Sequence, residues 1–144
     1  LQHDEAQDRP PPKFAMKVTT TLLTLSNFAY LGLCSQGGLA TIYKPPYLPT
    51  KCYGGDSAQF PGGNLFGAVG PDLWDGGAAC GRKYEVRCMA PAGGSGKCKY
   101  GTVTIKIVEG RLGKKAPSLS LTVLAGQIIY TGSGTFKAEF EEVA

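Results

Sequence analysis

Short stretches of alternating apolar and polar residues dominate this chain, and none sustains the spacing of a long amphipathic helix. Residues 39–43, Leu-Ala-Thr-Ile-Tyr, alternate and are rich in β-formers, which predicts a first strand. Prolines 45, 46 and 49 then force an extended loop. Residues 54–70 are glycine-rich, with Phe60, Leu65 and Phe66 as core anchors. Pro71-Asp72-Leu73-Trp74 suits a single helical turn, with Pro and Asp at its start. Residues 83–89 alternate again. The strongest strand signal is 102–108, where Val103, Ile105 and Ile107 share one face. A short strand at 119–121 and a short helix over 122–129 follow. A last strand over 135–143 places Phe136, Ala138 and Phe140 on one face. Glycine turns at 91–96 and 132–134 punctuate the pattern. The reading is one all-β domain with many turns.

The N-terminal part breaks this pattern. Met16-Lys17 opens an uncharged, apolar, Thr-rich stretch that runs to Cys34, with Ser35 and Gly37 at the −3 and −1 positions of a cleavage site. Residues 16–37 therefore read as a secretory signal peptide, and 38–144 as the mature domain. The stretch is too short and polar for a membrane span, so no stable membrane insertion is expected. Residues 1–15 are polar, contain three consecutive prolines and precede a Met. They read as a disordered leader or an upstream artefact.

Export changes the inventory. Cleavage removes Cys34 and leaves Cys52, Cys80, Cys88 and Cys98, an even set that implies a disulfide framework with three possible pairings. Close C-x2-C pairs are missing, which argues against zinc. The single histidine, His3, leaves too, and with it Ser-His-Asp, Cys-His and His-ligated metal chemistry. The 144 residues suit one domain. A net charge of +4 fits contact with acidic polymers such as pectin better than nucleic acid, and no cofactor motif appears. Gly93 to Cys98 only faintly suggests a phosphate loop: Pro91 stands where the first Gly belongs, Cys98 replaces Ser/Thr, and a strand follows. Arg82, Lys83, Arg87, Lys97 and Lys99 cluster in sequence, with solvated strand faces as the default reading.

Three stretches carry a family resemblance: Gly38-Leu39-Ala40-Thr41-Ile42-Tyr43-Lys44-Pro45-Pro46-Tyr47 leading into Cys52-Tyr53-Gly54; Leu73-Trp74-Asp75-Gly76-Gly77-Ala78-Ala79-Cys80-Gly81-Arg82-Lys83-Tyr84; and Val103-Thr104-Ile105-Lys106-Ile107-Val108-Glu109. Together they resemble the plant natriuretic peptide-like proteins, single-domain relatives of expansins that include the blight-associated proteins. The resemblance spans the whole mature region. It implies a six-stranded double-psi β-barrel with one or two short helices, and bridges Cys52–Cys80 and Cys88–Cys98. It also implies a secreted, monomeric apoplastic protein without enzymatic activity. Such a protein acts in water and ion balance and stress signalling through a cell-surface receptor, or alternatively as a wall-polysaccharide binding module.

The departures bear on chemistry. Lys83 stands where expansins carry a cysteine of a third bridge, and the segment after Glu109 lacks the cysteine of many relatives. Related barrel glycosidases, and expansin loosening, depend on an aspartate in a motif resembling Ile-Asp-Leu-Ser. The matching stretch is Leu119-Ser120-Leu121-Thr122, with Ser120 at that aspartate's place. A serine cannot act as a general acid near neutral pH, and one carboxylate alone makes a poor glycosidase. Glu109 keeps a carboxylate at the other position, at the end of the strongest strand. Tyr43, Tyr53, Trp74, Asp75 and Glu109 are the candidate groove residues. Core packing is the expected role for at least two of the aromatics, and turn capping for Asp75. Arg111, Lys114 and Lys115 read as a recognition loop or a solvated one.

Overall fold

A computed structural model describes residues 34–93 and 95–144. His3, the expected leader at 1–15 and most of the expected signal segment lie outside the described residues. Residues Ser35–Ala144 form one compact unit. Its strands are β1 (Gln36–Tyr43), β2 (Phe66–Val69), β3 (Lys83–Pro91), β4 (Val103–Gly110), β5 (Leu119–Thr122) and β6 (Thr135–Val143). Two short helices accompany them, α1 (Pro71–Trp74) and α2 (Val123–Ile129). The first strand starts at Gln36 and so runs across the expected cleavage point.

The strands close into a barrel in the order β1-β5-β2-β4-β3-β6. The pairs β1/β5 and β2/β4 are parallel, and the others antiparallel. This is the six-stranded closed barrel that the resemblance implies. Closure leaves no free sheet edge, which a small β-domain otherwise has to protect. The inward side chains follow the expected alternation: Ala40, Val86, Val103, Ile105, Ile107, Leu119, Leu121, Phe136 and Phe140 all enter the core.

The strand β2 was not expected. Phe66-Gly67-Ala68-Val69 is buried on both faces, so no alternation marks it, and its glycine reads as loop. Gly67 is required there. A Cβ would stand 2.5 Å from the carbonyl oxygen of Ser120 on the neighbouring strand.

Both helices begin as the residue types require. Pro71 occupies the first turn of α1, and Ser118 Oγ donates to Asp72 Oδ2 at 2.6 Å. Thr122 caps α2 by accepting from the Ala125 amide at 3.2 Å. The two bridges are Cys52–Cys80 and Cys88–Cys98, and Cys34 is free. The basic run of the sequence disperses: Arg82 pairs with Asp75, Arg87 with Glu139, and Lys99 Nζ donates to the Gln127 carbonyl. Among the described residues no helix is long and apolar enough to cross a membrane.

Candidate functional site on the outer face of the barrel

The register places one row of residues across four strands: Thr41 on β1, Ser120 on β5, Ala68 on β2 and Glu109 on β4. Ala40, Leu119, Leu121 and Ile107 point into the core, so this row faces outward. A β-bulge brings Glu109 into it. The pairing shifts between Gly67 and Ala68, so that Ile107 faces Gly67 while Glu109, not Val108, faces Ala68. Strict alternation would have set Glu109 on the core face with Ile105 and Ile107. The extra residue turns it outward. Ser120 and Glu109 stand two strands apart, about 10 Å along the row.

Tyr43 lies on the same face, two residues beyond Thr41. Its hydroxyl is enclosed and has no hydrogen-bond partner among the described residues. Burial pushes the phenol well above its ordinary pKa. The nearby Glu109 and Tyr47 push it further, and Arg111 opposes them. Tyr47 packs edge-on against both Tyr43 and Phe66, and its hydroxyl donates to the Tyr43 carbonyl at 3.0 Å. Phe66 in turn stacks on Phe60. A packed aromatic cluster thus continues from Tyr43 through Tyr47 to the fully buried Phe66 and on to Phe60.

Arg111 joins these groups. It leaves β4 with its amide bonded to the Val69 carbonyl at 2.9 Å. Its guanidinium lies 5.2 Å from the centre of the Tyr43 ring, and Nη1 donates to Ser120 Oγ at 3.1 Å. Ser120 itself is 1 % exposed. At position 120 this chain therefore has a buried hydroxyl held by a cation. Glu109 Oε1 accepts from the Lys51 amide at 2.8 Å and from the Gly110 amide at 3.0 Å. The Cys52–Cys80 bridge anchors the segment that presents Lys51, and the Cys52 amide bonds the Val108 carbonyl at 3.3 Å.

The other candidates lie elsewhere. The Trp74 indole rests on Gly110, where a Cβ would come within 2.7 Å of the ring, and it packs against the core. It closes one end of the barrel. Asp75 takes a left-handed conformation at the end of α1, with φ of 52°. Its Oδ2 accepts from Arg82 Nη2 at 2.8 Å, and this bond holds the Arg82 pKa above its usual value. Tyr53 sits under Lys106 Nζ, 5.1 Å from the ring centre, beside an open hollow shared with Gln59 and Phe60. The structure brings together Tyr43 and Glu109 of the expected set and adds Arg111, Ser120, Thr41 and Lys51. The family likeness pairs the positions of Ser120 and Glu109, whereas no sequence signal joins Thr41 and Lys51 to them. Among the described residues no cluster of His, Cys, Asp and Glu is arranged to hold a metal.

Comparison with known proteins supplies the family context. No family model matches the chain. An EG45-like domain containing protein of Citrus jambhiri is 29% identical over 133 residues, covering 90% of this chain and 95% of that protein. EG45-like domain containing protein 2 of Arabidopsis thaliana is 31% identical over 98 residues, covering 67% of this chain and 72% of the relative. Among solved structures, the apo expansin of Clavibacter michiganensis superposes with a TM-score of 0.58 at 20% identity. A mutant of that expansin in complex with cellohexaose superposes equally well, at 21% identity. Each match covers 77% of this chain, which spans about half of the expansin, 51% of its length. At that identity the likeness establishes the double-psi barrel fold.

Proposed function

Since the chain belongs to the EG45-like domain proteins, plant natriuretic peptide-like relatives of the expansins, we propose that it is a secreted, non-enzymatic module that binds wall polysaccharide on the outer face of its barrel. One observation carries this reading. The outer face sets Glu109 and Ser120 in one row, with the Arg111 guanidinium fixed between Ser120 and the Tyr43 ring. The Arg111 guanidinium is held by the Tyr43 ring and by Ser120, so its remaining N–H groups are oriented toward the oxygens of a ligand before binding. A structural relative with this barrel is known in complex with cellohexaose, and sugars commonly bind aromatic faces rimmed by a few polar groups. The two disulfides suit an extracellular, oxidising setting.

The absence of catalysis is part of the proposal. Two carboxylates are needed to protonate a leaving oxygen and to activate water or trap the sugar. Here the row offers Glu109 and, across it, a serine bonded to Arg111. The site can hold and orient a glycan, and it lacks the acid that would cleave one.

Calorimetric titration of the oxidised domain with cellohexaose tests this. Binding that weakens in Glu109→Gln, with the oligosaccharide recovered intact, is the expected outcome. Failure to bind any wall oligosaccharide, neutral or acidic, or release of shorter sugars, overturns it. A signalling role in water and ion balance through a cell-surface partner is the second reading, supported by family membership. Saturable binding to membranes that protease treatment of those membranes abolishes would favour it.

A further inference from the structure

Beside Arg111 an open trough of about 630 Å³ runs along the outside of the barrel, lined by Lys51, Arg111 and Lys115 together with the hydroxyl-bearing Thr41 and Thr135. It continues past Ala116 and Pro117 into a smaller hollow lined by Lys114 and Asp72. Four cations thus follow one another along a single path. Among the described residues the ion pairs are Arg82–Asp75, Arg82–Glu142 and Arg87–Glu139, so none engages these four. The carboxylates near the path are Glu109 and Asp72. One oxygen of Glu109 is occupied by the Lys51 and Gly110 amides, and one of Asp72 by the Ser118 hydroxyl. The cations outnumber the carboxylates by two.

Arg111 is the organised member. Its guanidinium is fixed over the Tyr43 ring and by Nη1 on Ser120, so it is already oriented before a ligand arrives. Its remaining N–H groups match the planar, two-pronged geometry of a carboxylate. The Lys51 and Lys115 ammonium groups supply a second and third charge at the rim, and the threonines offer hydroxyl partners to a sugar ring.

We propose that this trough selects acidic glycans, with a uronosyl carboxylate paired to Arg111 and the polymer running past Lys51, Lys115 and Lys114. The proposal rests on the polysaccharide-binding reading and deepens it. It turns the replacement of an acid by Ser120 into a change of specificity as well as a loss of chemistry: an aspartate there would compete for Arg111 and repel the ligand, and serine does neither.

The test compares three probes by calorimetry at near-physiological salt: an octamer of galacturonate, its fully methyl-esterified form, and cellohexaose. The expected result is about tenfold tighter binding of the free acid than of its ester, a tenfold preference being about 1.4 kcal/mol. Arg111→Met should remove that preference. Lys115→Glu, in an exposed loop where folding is not at stake, should reduce it at least threefold, and Lys99→Met, whose ammonium bonds the Gln127 carbonyl beside a different hollow, should leave it intact. Equal binding of acid and ester, with cellohexaose bound, overturns the acidic selectivity and leaves the polysaccharide reading standing. No binding of any of the three overturns both. Poly-glutamate binding as tightly as the galacturonate octamer, unaffected by Arg111→Met, would reduce the trough to diffuse charge attraction and also overturn the proposal.

Discussion

Tyr43 is half-buried, and its hydroxyl is both enclosed and unpartnered. The contribution of the hydroxyl is therefore separable from that of the ring by one substitution. Tyr43→Phe removes a buried hydroxyl that gains nothing from the protein, so the ligand-free domain should keep its stability or gain up to about 1 kcal/mol, measured by urea unfolding at pH 7. A loss of more than about 1 kcal/mol would show that the hydroxyl is satisfied in solution. Cellohexaose binding should persist in the same variant, because the ring under Arg111 is kept and the enclosed hydroxyl is out of a ligand's reach. The phenol also sets an alkaline limit. Its folded-state pKa is raised, by burial first and by Glu109 and Tyr47 next, above an unfolded value of about 10. The neutral side chain's contribution is therefore complete below about pH 10 and is lost as pH rises through the higher folded value. Tyr43→Phe should unfold at a higher pH than the parent in an alkaline titration followed by circular dichroism. Identical alkaline midpoints would mean that Tyr43 ionises freely in the folded chain.

At the scale of the element, the end of β4 does most to shape the site, through a bulge that turns Glu109 outward and a glycine that admits Trp74. Gly110→Ala places a methyl within 2.7 Å of the indole. The expected cost is about 1–3 kcal/mol, together with a red shift of emission from the protein's one tryptophan as the ring is displaced. An unchanged spectrum and stability would mean that the ring moves aside freely. These features also mark where the sequence stops being legible. Alternation in β4 and β6 identified their inward residues correctly, because a half-buried strand writes its facing into every second position. Pro71 and Asp72 announced the start of α1 in the same local way, while Thr122, read as the first helical residue, is the cap of α2. The bulge at Val108 has no such signature: alternation alone predicts the wrong face for Glu109. The short β2 is buried on both sides, so its pattern is uninformative. The Arg111–Ser120 bond joins residues whose partnership depends on the strand order, and the disulfide pairing was readable through family likeness alone.

Over the whole molecule, barrel closure and the two bridges divide the work of stability. The sheet closes without the sulfurs, although Cys88 packs against the core: β1 is held on one side by β5 and on the other by β6, which also pairs along β3. Reduction should therefore leave a folded domain at room temperature with a lower melting temperature. The bridges differ in what else they do. Cys52–Cys80 closes 28 residues of chain and Cys88–Cys98 closes 10. By loop entropy their removal costs about 3.5 and about 2.5 kcal/mol, respectively. The first bridge also anchors the segment whose Lys51 amide bonds Glu109 and whose Cys52 amide bonds the Val108 carbonyl, while the second ties the later part of the 92–102 connection back to β3. A Cys52→Ser/Cys80→Ser double variant should lose stability and glycan affinity together, whereas Cys88→Ser/Cys98→Ser should lose stability alone. Paired urea unfolding and calorimetry separate the two. If both variants bind as the parent does, Lys51 and Glu109 keep their places without the bridge, and the outer-face site is built by the barrel itself.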